Sequence, residues 1–318
     1  MSWRPTAEPE DLSTLDVSRA VEPKVAAVIE PRDRDLGGFI VRRLLPAAEH
    51  RALGPYVFFD HFGPTTFAPG QGLDVRPHPH INLATVTYLF DGEIVHRDSL
   101  GSLQAIRPGD INWMTAGRGI VHSERTSQEL RASGSSVHGI QLWVGLPRAD
   151  EEAPPAFHHH PAATLPAVRE PGVDIRVLIG EAFGQRSPVR TFSRLAYADI
   201  RLAAGASLDI PAEGGQRGIY VVDGAITTDA RRFSAAHLLL FHPSQRVHVH
   251  AHADDGCRFV LLAGDPFPEP RHLYWNFASS SPERIEQAKR DWRERRGDRD
   301  GPFPLVPGDE REFIPLPA

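Results

Sequence analysis

The sequence predicts an all-β chain of two successive β-barrels with one short helix near its C-terminus. Three observations lead there. Short runs rich in Val, Ile, Thr, Tyr and Phe recur between Gly, Pro, Asn and Asp turns about every eight to twelve residues, the spacing of a sandwich or barrel. The pattern passes through two rounds, separated by a proline-rich acidic stretch from Pro147 to Pro171. Only residues 282–296 place apolar side chains at helical spacing. With 318 residues, 41% of them hydrophobic and 24% charged, the chain is long enough for two domains of ordinary size.

Taken in order, residues 1–24 are polar and proline-bearing, and are expected to form a leader outside the fold. The first barrel is expected over residues 25–146. Val25 to Ile29 and Gly38 to Leu45 read as strands, split by a turn-rich connection from Pro31 to Gly37. Gly54 to Pro64 is an aromatic strand whose rings suit a core. Asp60 and His61 within it are candidates to orient a metal-bound imidazole. Leu83 to Phe90 ends at Asp91-Gly92, a hairpin dipeptide, and Glu93 to Asp98 returns. Leu103 to Ile106 and Ile111 to Met114 follow, divided by the Arg107 to Asp110 turn, and Val137 to Leu146 completes the barrel. Thr115 to Gly119 lacks the Gly-Lys-Ser/Thr ending of a phosphate-binding loop, and reads as a bend that aims His122 inward.

Residues 147–171 are expected to be the crossover, and residues 172–318 the second barrel with its terminal helix. Strand-like segments run from Val173 to Ala263. His158, His159 and His160 are adjacent in a proline-rich segment and do not face one point. His248, His250 and His252 alternate along a strand without a companion ligand phrase, and read as a half-buried polar face. In the tail, Ser281 suits an N-cap, Pro282 the first helical position and Glu283 the N-terminal dipole, with Ile285, Ala288 and Trp292 on one face and Gly297 beyond. Its arginines alternate with Glu286, Asp291 and Glu294, as on a solvated face.

Two phrases stand out chemically: Arg76-Pro77-His78-Pro79-His80 and Gly119-Ile120-Val121-His122-Ser123-Glu124. Residues two apart on a strand face the same way. Two such strands side by side would bring three imidazoles and one carboxylate to a common point, a metal site. Pro77 and Pro79 stiffen the first strand. That donor set suits iron(II), Fe(2+), with two open positions, and also accepts manganese, nickel, cobalt or zinc.

The frame excludes other classes. No apolar run approaches a bilayer span, and no basic start with an apolar core opens the chain. Cys257 is the single cysteine, which fits a reducing compartment and a cytoplasmic protein. A net charge of −6 removes the overall electrostatic signal for nucleic-acid binding.

Gly72, five residues and then His78-Pro79-His80 resembles the first cupin motif, and Pro108-Gly109-Asp110 with His122 resembles the second. More narrowly, Gly54 to Pro64, Pro77 to His80, Thr85 to Ile94, His96 to Gly101 and Arg107 to Glu124 resemble the pirin family. The resemblance covers about residues 38–145. It implies a bicupin with one mononuclear metal, usually iron, in the N-terminal barrel, and His78, His80, His122 and Glu124 as ligands. It also implies a quercetin (flavonol) 2,3-dioxygenase-type reaction on a small aromatic substrate with O2, in which Glu124 accepts the substrate hydroxyl proton. The alternative it implies is a redox-responsive regulatory protein with a protein partner, such as a transcription cofactor or a modulator of a metabolic enzyme. One departure is visible. Where pirins commonly carry Arg-Gly-Phe-Glu after the His-Pro-His, this chain has Ile81-Asn82-Leu83-Ala84, so a more apolar pocket beside the metal is expected.

Overall fold

The computed structural model describes residues 24–35, 39–212 and 214–317. The expected leader falls almost entirely outside them. The first barrel pairs a seven-stranded antiparallel sheet with a four-stranded one. The larger runs, edge to edge, Ala156–His160, Ile111–Thr115, Leu83–Gly92, Ser135–Gly145, Tyr56–Phe67, Ile40–Leu45 and Arg32–Asp35; the smaller runs Asp74–His80, Ile120–Arg125, Ile94–Asp98 and Leu103–Ile106. The second barrel repeats the plan with an eight-stranded sheet centred on Gln216–Asp223, Cys257–Gly264 and Leu195–Leu202, and a four-stranded sheet centred on Val247–Ala251 and Ala225–Thr228. The chain is therefore all-β, with two barrels, as the turn spacing predicted. Among the described residues no helix is long and apolar enough to cross a membrane.

The alternation of strand side chains explains where the cores sit. Along Leu83–Gly92, Ala84, Val86 and Tyr88 point out of the first barrel. They join Tyr197, Tyr220, Leu238 and Val260 of the second in one cluster, so the two large sheets pack face to face. Two buried phenols in that interface are hydrogen-bonded: Tyr88 Oη lies 2.7 Å from an Asp199 carboxylate oxygen, and Tyr56 Oη donates to Ala196 O at 2.7 Å. The inside of the second barrel is apolar, lined by Val177, Ile200, Ile219, Val221, Val247, Val249 and Phe259. The inside of the first has apolar ends and a polar middle.

The structure differs from expectation at four elements. Val25–Ile29, expected to open the first barrel, pairs with Leu238–Phe241 and edges the second. A five-residue apolar strand carries nothing that selects between two sheet edges. Ala156–His160, expected within the crossover, pairs with Ile111–Thr115 as an edge strand, its prolines flanking and not interrupting the ladder. Arg32–Asp35, read as a turn, is an exposed edge strand on Ile40–Leu45. A short helix, Gln128–Ser133, buries no residue and so left no apolar stripe to read. The predicted terminal helix spans Pro282–Glu294, with the Ser281 side chain accepting from Arg284 N and Ile285, Ala288 and Trp292 buried. Its partners are Ile81 and Val121 of the first barrel.

Candidate metal centre

The strands Asp74–His80 and Ile120–Arg125 pair antiparallel with His122 directly opposite His78. One ring nitrogen from each of His78, His80 and His122 lies within 4.8 Å of the other two. Exposure is 6%, 1% and 1% respectively, so the three imidazoles meet inside the barrel and not on its surface. His78 Nδ1 is 2.9 Å from Arg76 O and His80 Nδ1 is 2.9 Å from Asn276 O. Each Nδ1–H donates to its carbonyl, which leaves the Nε2 lone pair for a ligand. Among the described residues, His80 Nε2 and both nitrogens of His122 have no hydrogen-bond partner. Buried polar atoms left in that state are costly unless something occupies the space between them, and a cation does.

Burial pushes the His78 imidazole down to about 4. Burial, and then the neighbouring imidazoles, hold His80 and His122 well below the ordinary histidine range. Neutral rings with free lone pairs are the protonation state metal binding needs.

Glu124 is buried beside this cluster, but its carboxylate is not within the shared distance of all three histidines. The backbone supplies a reason: the ladder to Asp74–His80 slips between His122 and Glu124, setting Glu124 opposite Val75. Thr87 Oγ1 lies 3.1 Å from Glu124 Oε1 and 2.9 Å from Gln141 Oε1. Burial raises the Glu124 carboxyl above its ordinary value, opposed by His96 and the Thr87 hydroxyl.

His96 and Asp98, to which the sequence analysis gives no role at the site, lie opposite Glu124 and His122 in the ladder. His96 Nε2 is 3.0 Å from Asp98 Oδ2, its ring is stacked on Phe157 at 4.2 Å, and it stands 5.3 Å from the His122 ring. Asp98 Oδ1 accepts from Leu100 N and Ser102 N, which fixes the carboxylate. The signal that could have found the pair is the same spacing of two that marked the other phrases.

Two expectations are corrected. Asp60 forms a bidentate ion pair with Arg43, and His61 contacts Tyr220 Oη at 2.6 Å and His138 Nε2 at 2.7 Å, so neither orients a ligand. Ile81 packs against the terminal helix and Ala84 against the second barrel, so neither makes the metal pocket more apolar. The turn after His80 bends through Asn82 at φ 57, a left-handed position that asparagine tolerates where the related pattern has glycine. His159 bonds Asn112, and His248 bonds Asp209 on the outside of the second barrel. The bend before His122 is held from outside: a Cβ on Gly117 would sit 1.9 Å from Ala153 O, and one on Gly119 2.6 Å from Pro302 O.

Comparison with known proteins fits this geometry. Residues 38–144 match the family described as Pirin, and residues 197–298 match the Pirin C-terminal cupin domain. A pirin-like protein of Caulobacter vibrioides is 46% identical over 293 residues, covering 91% of this chain and 98% of its own. Mouse pirin is 32% identical, covering 86% and 93%. The crystal structure of a quercetin 2,3-dioxygenase from Acinetobacter baumannii superposes with a TM-score of 0.84 at 31% identity, covering 92% and 95%.

Proposed function

The chain belongs to the pirin family, and we propose that His78, His80, His122 and Glu124 hold one iron(II) ion for a quercetin 2,3-dioxygenase-type ring opening. The observation that carries this is the convergence of three neutral, buried imidazoles with unpartnered nitrogens. Similarity over most of the chain to the Acinetobacter dioxygenase supports the reaction class. Iron(II) bound there would supply Lewis acidity and the electrons that activate O2. Manganese, nickel, cobalt or zinc would suit the same donors.

The chain's own residues do the rest. His78 and His80 present Nε2 because their Nδ1–H groups are committed to carbonyls. Glu124, raised by burial, accepts the hydroxyl proton of a flavonol-like substrate at its carboxylate. The single Thr87 hydroxyl proton steadies that carboxylate or turns to Gln141. The apolar ends of the barrel keep water from the reacting centre. Buried, free Cys257 accords with a cytoplasmic location.

Oxygen uptake and loss of flavonol absorbance are measured with untagged protein loaded anaerobically with iron(II). Uptake that requires iron and vanishes in His80→Ala is expected. No uptake by protein that demonstrably holds iron rejects the dioxygenase reading. A second reading, a redox-responsive binding protein acting on a protein partner, draws on the low exposure of the histidines, 1–6%, which leaves little room for an aromatic substrate.

A further inference from the structure

Residues beyond the second barrel turn back and cover the outside of the two histidine-bearing strands. A hairpin, His272–Tyr274 with Phe277–Ser279, bridges to Ile81 through Phe277. The hairpin, the helix and the chain after it bury Ile81 and Val121 under Phe277, Ile285, Trp292, Phe303 and Val306. Ile314 N donates to Pro77 O at 2.8 Å, between the metal-strand residues Arg76 and His78. Trp292 Nε1 donates to Ile314 O at 3.1 Å. Arg125, beside Glu124, holds Asp309 in a bidentate pair at 2.7 and 2.8 Å and Glu312 at 2.8 Å.

The three histidines differ in what orients them. His78 uses Arg76 O in its own strand, and His122 has no acceptor among the described residues. His80 uses Asn276 O in the returning segment. We propose that residues 272–316 are a working part of the metal centre. Asn276 O is the positioning group for His80, and metal binding and docking of this segment stabilise each other. This rests on a metal at the three histidines and is independent of the ring-opening reading.

The coupling is physical. An ion on Nε2 draws charge from the imidazole, so Nδ1–H becomes a stronger donor and its bond to Asn276 O tightens. By linkage, whatever loosens the segment weakens the metal by the same factor. The packing of Trp292 and Phe303 is then felt at the metal without either side chain touching it.

Zinc is the probe, and full-length protein is used throughout. Hydrogen exchange is measured at the Ile314 amide and over Phe277–Ser279, with Gln216–Asp223 of the second barrel as reference. Zinc is expected to slow exchange in the returning segment and leave the reference strand unchanged. Zinc affinity, by chelator competition, is expected to fall about 10- to 100-fold in Trp292→Ala, the usual effect of losing a partner that orients a ligand, and to recover in Trp292→Phe. If Trp292→Ala does not fold, Asp309→Asn decides: it removes the negative charge that pairs with Arg125, with a smaller loss of affinity expected. Unchanged segment exchange on zinc addition overturns the proposal. So does a variant whose Ile314 amide exchanges faster while zinc binds as tightly as in wild type.

Discussion

His80 Nδ1 lies 2.9 Å from the backbone oxygen of Asn276, a residue 196 positions further along the chain. A histidine of the first barrel is thus oriented by a segment that follows the second. The relationship makes metal content and integrity of the C-terminal segment properties to be measured together.

One tightly held metal per chain is expected. Among the described residues the inside of the second barrel, with Val247 and Val249, gathers no cluster of metal donors, and His248 and His250 point outward. Elemental analysis of the wild type should give about one ion, and His80→Ala should lose it. Two equally tight ions would contradict this.

Glu124→Gln keeps the shape of the side chain but removes its negative charge and its capacity as proton acceptor. Three imidazoles alone still hold divalent metals, so the variant should retain much of its metal when loaded in excess. Turnover of a flavonol should drop about 10²- to 10⁴-fold. Metal content and rate are read on the same preparation, and near wild-type turnover with metal bound would remove Glu124 from the role of base.

Ala84→Glu tests the face assignment of the strand Leu83–Gly92. Ala84 has no exposure and packs between the barrels, so a carboxylate there is buried without a partner. Denaturant unfolding should show a loss of about 3 kcal/mol or more, while protein that remains folded keeps its metal. A stable variant with altered metal content would place residue 84 at the site after all.

Acid should loosen the returning segment. Burial raises the Asp309 carboxyl, but the hydrogen bonds from Arg125 and the Arg125 charge outweigh it, and the net value lies below the ordinary one. A group depressed in the folded state contributes stability above its unfolded pKa and loses it as pH falls through the folded value. Protection of the Ile314 amide, taken relative to its intrinsic exchange rate at each pH, should therefore fall as pH drops below about 4, and Asp309→Asn should flatten that dependence. An unchanged profile in the variant would show that Asp309 does not contribute.

The sequence by itself determined the all-β class, the two rounds of strands, the capped helix and the two histidine phrases. These depend on local rules: turn chemistry, alternation and cap residues act over a few positions and are written where they act. His78, His80 and His122 were legible because spacing by two sets a face whatever the strand pairs with. Only the tertiary structure decided which strand neighbours which. It placed His96 and Asp98 beside Glu124 and His122, set Glu124 off the histidine cluster by a slip in one ladder, and turned Ala84 toward the second barrel. It also sent Val25–Ile29 to the second barrel and the terminal helix to the first. Those outcomes depend on free-energy differences among distant sheet edges and apolar faces of similar character, which no short stretch of residues encodes.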